Sequence, residues 1–147
     1  MSKIYDKRQA LAANIIAAGI GWTEENVIYK RQTDLWNDVA TAVAAQNSTG
    51  SVLVIGAASG DAGEGDELDM QCTMVLTILC LPQVADDATP EEDLWEALVL
   101  HVHDLRLGND HFTYRFKFKS WTDADVEADG GTAYLARQTT FDFKLSL

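Results

Sequence analysis

Apolar residues recur at helical spacing near the start of the chain, at Ile4, Leu11, Ile15 and Ala18. Lys7, Arg8 and Asn14 fall on other faces. The spacing predicts an amphipathic first helix. Gly19 and Gly21 end it, because glycine accepts the left-handed conformation that follows a helix. Residues 27–30 fit a short strand. Thr33 or Asp34 then offers a side-chain oxygen to cap a second helix, whose stripe is Leu35, Trp36, Val39, Ala40 and Val43.

Residues 52–55 are apolar on both faces, as in an inner strand covered on two sides. Residues 57–69 are small, glycine-rich and acidic without periodicity, and predict a mobile loop. A long strand follows over 70–81. Met70, Cys72, Met74, Leu76, Ile78 and Cys80 make one apolar face, while Gln71, Thr73 and Thr77 mix with Val75, Leu79 and Leu81 on the other.

Thr89, Pro90 and Glu92 form a helix-start signal, with a capping threonine, a proline suited to the first turn and a glutamate placed for a capping box. The third helix is predicted over 90–107, with Leu94, Leu98, Val102 and Leu105 on its buried face and Gly108 or Asn109 closing it. Two period-2 segments end the chain. Phe112, Tyr114, Phe116 and Phe118 alternate with Thr113, Arg115 and Lys117. Leu135, Arg137, Thr139, Phe141, Phe143 and Leu145 alternate with Ala136, Gln138, Thr140, Asp142 and Lys144. The acidic stretch 123–131 reads as a turn-rich link between them, giving an antiparallel pair. The pattern predicts a single α+β domain over residues 1–147, a mixed and mostly antiparallel sheet with about three helices packed on it.

Composition narrows the function classes. The chain has 147 residues and a formal net charge of −12, from 23 acids against 11 Lys and Arg. Such a surface repels a phosphate backbone, so specific nucleic-acid binding is not expected. No run of about 20 apolar residues occurs, so no membrane helix is expected. The first residues lack the apolar stretch of a secretory signal, which predicts a chain that stays in the cytoplasm where it is made. Cys72 and Cys80 lie on one strand, about 27 Å apart at roughly 3.3 Å per residue. A disulfide needs Cα atoms within about 7 Å, so both are expected as buried free thiols.

Candidate chemistry mostly fails on spacing. His101 and His103 point about 200° apart on a helix and cannot close on one metal. Reading Asp125, Glu127, Asp129 and Gly130 as a calcium loop puts Ala136 where a bidentate glutamate belongs, which excludes an EF-hand. The segment Gly56-Ala57-Ala58-Ser59-Gly60 lacks the Lys-Ser/Thr ending of a phosphate loop, and Asp61, Glu64 and Asp66 would repel a phosphate. No serine or cysteine sits where a base would activate it. No catalytic residue, metal or cofactor is expected. What stands out is charge placement. Arg115, Lys117 and Lys119 form a basic stripe ending at Trp121, and Asp123, Asp125, Glu127 and Asp129 form an acidic segment just after it. Opposite charges across an interface fix its register, so these residues are the candidate subunit or partner interface. Asp61, Glu64, Asp66 and Glu67 in the predicted loop are the candidate docking segment for a partner.

As a whole the chain resembles the tail terminator (tail completion) proteins of long-tailed bacteriophages. The resemblance lies in element order: an opening helix over 7–18, a helix after Thr33 followed by a strand hairpin over 52–81, a single capped helix over 90–107, and a closing strand ending Ala136-Arg137-Gln138-Thr139-Thr140-Phe141-Asp142-Phe143-Lys144-Leu145-Ser146-Leu147. It implies a mixed sheet with packed helices, closure into a hexameric ring, and a virion location in tail or neck after assembly in the host cytoplasm. The implied partners are further copies of the chain, the tail tube protein and a neck or connector protein, with DNA passing through the bore. Two other readings stand beside it. One is a head–tail connector or other neck protein, and the other is a small-molecule-binding α+β domain.

Overall fold

The computed structural model describes residues 3–30, 35–44, 50–62, 69–81, 91–107, 115–128 and 130–146. Its elements are α1 (Lys3–Ala17), β1 (Val27–Ile28), α2 (Leu35–Ala44), β2 (Ser51–Ala62), β3 (Asp69–Cys80), α3 (Glu91–Val102), β4 (Lys117–Glu127) and β5 (Ala133–Ser146). The strands form one five-stranded sheet in the order β1-β2-β3-β5-β4. β1 runs parallel to β2, and every other pairing is antiparallel. This is the expected α+β architecture with a mixed, mostly antiparallel sheet.

Side-chain alternation sends the strands' two faces into two separate cores. On one face Leu53, Ile55, Met74, Leu76, Ile78, Phe141 and Phe143 pack under Leu11 and Ile15 of α1 and Leu94, Leu98 and Val102 of α3. On the other, Val52, Leu79, Tyr134 and Ala136 pack under Val39 and Ala42 of α2. There the Trp36 ring stacks on Tyr134, centroids 5.8 Å apart and 13° from parallel. α2 spans only part of its face. Thr73, Val75, Thr77, Thr140 and Asp142 stay half-buried beyond it, and Gln138 and Lys144 are exposed. The half-polar second face of β3 has this cause.

Three expectations need correction. The predicted loop 57–69 is strand through Ala62, because β2 continues after an irregularity between Ile55 and Ala58 and pairs to Ala62↔Met70. Gly60 fits this hairpin because it has no Cβ. A Cβ there would lie 2.9 Å from the Gln71 carbonyl oxygen and 3.0 Å from the Cys72 sulfur. α3 ends at Val102 and not near Leu107. Asp104 adopts φ 67°, and its N–H bonds the Phe116 carbonyl at 2.8 Å, while the Phe116 N–H bonds the Leu105 carbonyl at 2.9 Å. These bonds to the segment entering β4 replace the next helical turn. Finally, the acidic link is shorter than expected, since Asp123, Asp125 and Glu127 belong to β4, paired with Arg137, Leu135 and Ala133. The capping residues Thr33, Asp34, Thr89 and Pro90, the helix-closing Gly108 and Asn109, and the strand residues 112–114 lie outside the described residues.

Among the described residues no helix is long and apolar enough to cross a membrane. Both cysteines are free and buried, as their spacing on β3 requires. His101 bridges α3 to α1 through the Asn14 side-chain oxygen, 2.6 Å from its Nε2.

Candidate interface site

β4 is the outermost strand on its side of the sheet, eleven residues long, and all but Phe118 and Val126 are exposed. A long edge with unpaired backbone groups invites another chain unless something blocks it. Here the first half carries Lys117, Lys119 and an irregularity in register between Phe118 and Ser120. That irregularity also changes the strand's phase. Before it, Phe116 and Phe118 face the α3 core, where Phe116 meets Phe143 and Phe118 meets Phe141. After it, Trp121 and Asp123 hold the positions opposite Thr139 and Arg137.

The second half is fastened from beneath by Arg137. This residue sits on β5 among core-facing positions, its side chain 9 % exposed, opposite Asp123 in the ladder. Its Nε donates to Asp123 Oδ1 at 2.7 Å and its Nη2 to Oδ2 at 3.0 Å, a forked pair that fits the planar guanidinium. The guanidinium carbon lies 5.0 Å from the Trp95 ring centre and 4.9 Å from that of Trp121. Those two rings are 5.2 Å apart and tilted by 56°. Trp95 Nε1 donates to Thr139 Oγ1 at 2.9 Å. One cation therefore ties α3, β4 and β5 together. The Arg137 hydrogen bonds, with its charge, hold the Asp123 carboxyl below the usual aspartate range.

The basic stripe is engaged within its own chain. Lys117 pairs with Asp104, whose carboxyl is held below its ordinary value mainly by that hydrogen bond. Lys119 Nζ lies 3.9 Å from Asp142 Oδ1, an oxygen that also accepts from Thr73 Oγ1 at 3.0 Å. The Phe118 N–H donates to His103 Nδ1 at 3.0 Å. These contacts still leave both lysine side chains 56 % exposed.

Among the interface candidates, Arg115, Lys117, Lys119, Trp121, Asp123, Asp125 and Glu127 thus come together on one strand and its lead-in, all exposed. Asp129 lies outside the described residues. Of the docking candidates, Asp61 is in β2 opposite Gln71, and Glu64, Asp66 and Glu67 lie outside the described residues. Sequence reasoning passed over Arg137 and Trp95 as parts of this site. The available signal was a cation in the core-facing set of β5, where burial demands a partner.

Beside the Arg137–Asp123 pair lies a hollow of about 320 Å³ lined by charged groups, among them Glu92, Asp123, Asp125 and Arg137. A larger groove of about 690 Å³ lies at the opposite edge of the sheet, between α1, β1 and α2. Among the described residues no group of three or more His, Cys, Asp or Glu could hold a metal ion.

No protein-family model and no curated protein matches this chain. Solved structures do. One is a chain of the "Virion of native gene transfer agent (GTA) particle", 12 % identical, with 95 % of this chain and 96 % of that chain covered at a TM-score of 0.49.

Proposed function

We propose that the protein is a structural component of a long-tailed phage-like virion. In this reading it assembles with copies of itself into a ring, with six subunits as the expected number, that caps the tail tube and joins the tail to the neck. It acts by assembly and not by catalysis. The observation that carries this reading is the pair of unlike sheet edges. One is the two-residue β1 beside a groove, and the other is the eleven-residue, exposed and charged β4. A ring requires two different patches on each subunit that fit one another under a closing rotation. The element order that resembles the tail terminators supports the same reading.

Light scattering on the purified protein, followed by negative-stain imaging with tail tubes lacking a terminal ring, tests it. A ring-sized particle seated at one end of the tubes is expected. Tubes left open by the wild-type protein would overturn the terminator role. Binding to a portal ring in place of the tubes would move the protein to the connector position.

A further inference from the structure

We infer that the cationic half of β4 docks into the α1–β1–α2 groove of a second copy of this chain, so that neighbouring subunits join edge to edge and head to tail. The inference rests on the ring reading and names the two surfaces that would close it.

The groove exists because of where the sheet stops. β1 is only Val27–Ile28 and pairs with Leu53 and Val54 of β2. Alternation sends Val27 to the core under α1 and Ile28 to the core under α2, so the two helices flank this edge on opposite faces. Between them lies the groove of about 690 Å³, with Ala12, Ala13 and Ile16 of α1, Ala42 of α2 and Val27 of β1 in its lining. Its charged lining is mostly acidic, with Glu24, Glu25 and Asp38 against Lys30. Glu24 and Glu25 are exposed.

The opposite edge of the same sheet supplies a complement. Arg115, Lys117 and Lys119 are exposed, and the intrachain partners of the two lysines leave more than half of each side chain open. Trp121, 48 % exposed, offers an apolar surface at the end of this run. Aromatic side chains of this kind anchor interfaces. Lysines and a bulge are also the devices that keep an edge strand from pairing indiscriminately. A strand so guarded favours an acidic receiving edge, and the groove is one. Because each copy carries both halves, the contact repeats from subunit to subunit, as a closed ring needs.

Two variants separate the halves. Lys117→Glu/Lys119→Glu reverses the docking strand and leaves the groove intact. Arg115→Glu/Lys119→Glu replaces it if loss of the Lys117–Asp104 pair weakens the fold. Ala13→Trp fills the groove from an exposed position on α1 and leaves β4 intact. Solution mass and tube capping are measured for wild type, each variant and their equimolar mixture. The wild type is expected to associate and each variant alone to remain at 16.1 kDa, while the mixture shifts to twice that mass through its one intact interface. Either variant retaining wild-type mass and capping, as it would if the groove held a small ligand, overturns the inference while the ring reading stands. So does dimerisation of Ala13→Trp alone, which would mean that β4 pairs with β4. A wild-type protein that neither associates nor caps tubes removes the ring reading, and this inference with it.

Discussion

Arg137 and Asp123 meet across the β5–β4 ladder in a two-bond fork, with the guanidinium between the rings of Trp95 and Trp121. The arginine side is buried and the aspartate side is half open. Removing either partner therefore has unequal effects. Asp123→Asn leaves the buried cation with a single amide oxygen in place of two carboxylate oxygens and is expected to cost about 1–2 kcal/mol, since the pair is partly solvent-screened. Arg137→Ala also loses two ring contacts and the packing of its stem, and is expected to cost about 2–4 kcal/mol. Denaturant midpoints at unchanged slope measure both. Equal effects of the two substitutions would overturn this ordering.

Acid should loosen the same corner. Asp123 and Asp104 both have carboxyls held below the ordinary 3.8, through Arg137 and Lys117 respectively. A lowered folded-state pKa means the folded protein binds fewer protons than the unfolded chain. The stabilisation is whole above the unfolded-state value and is lost as pH falls through the lowered one. Wild-type stability is thus expected to drop, as pH falls below the ordinary 3.8, more steeply than that of Asp123→Asn, which has no such carboxyl to protonate. Parallel curves for the two proteins across that range would disprove the assignment to Asp123.

The sequence pattern disclosed the helices α1 and α2, the long strand β3, the last strand β5 and the burial of both cysteines, because each follows from local periodicity. What it hid was set by partners distant in sequence. Residues 58–62 are small, with one acid, and carry no strand signal, yet they pair with Met70 to Met74, whose own alternation is strong. Strand propensity yields to such pairing. In β4 the irregularity between Phe118 and Ser120 shifts the phase, so alternation counted from Phe112 misplaces every residue beyond it. The early end of α3 depends on bonds to Phe116, eleven or more residues away. The candidate strand was visible as charge; the buried arginine that fastens it was visible only as a cation on the wrong face.

The turn after α1 gives a test of backbone against packing. Gly19 and Gly21 have φ 66° and 107°. A Cβ at Gly19 would meet nothing within 4 Å, whereas one at Gly21 would lie 2.5 Å from Leu94 Cδ2. Gly19→Ala is therefore expected to cost about 1 kcal/mol, from conformation alone. Gly21→Ala adds a clash with a buried leucine of α3 and is expected to cost about 2–4 kcal/mol. If the two variants unfold at the same denaturant concentration, α1 and α3 are not packed together through this turn.

Thiol labelling reports on the deepest strand. Cys72 is 4 % exposed and Cys80 is fully buried, both on β3 in the middle of the sheet. Burial also pushes the Cys72 thiol above its ordinary value, so little thiolate forms near neutral pH. Labelling of either cysteine must then wait for the strand to open. For Cys72 that requires separation from β2 or β5, which flank β3 along its length. In native buffer neither thiol is expected to react with a maleimide on the timescale in which a denatured sample labels both. When labelling does occur, its rate should follow global stability, slowing in wild type relative to Arg137→Ala. Rapid labelling of Cys72 with Cys80 still protected would mean that the distal half of the hairpin, paired from Ala58 to Ala62, opens on its own while the half next to β1 stays closed.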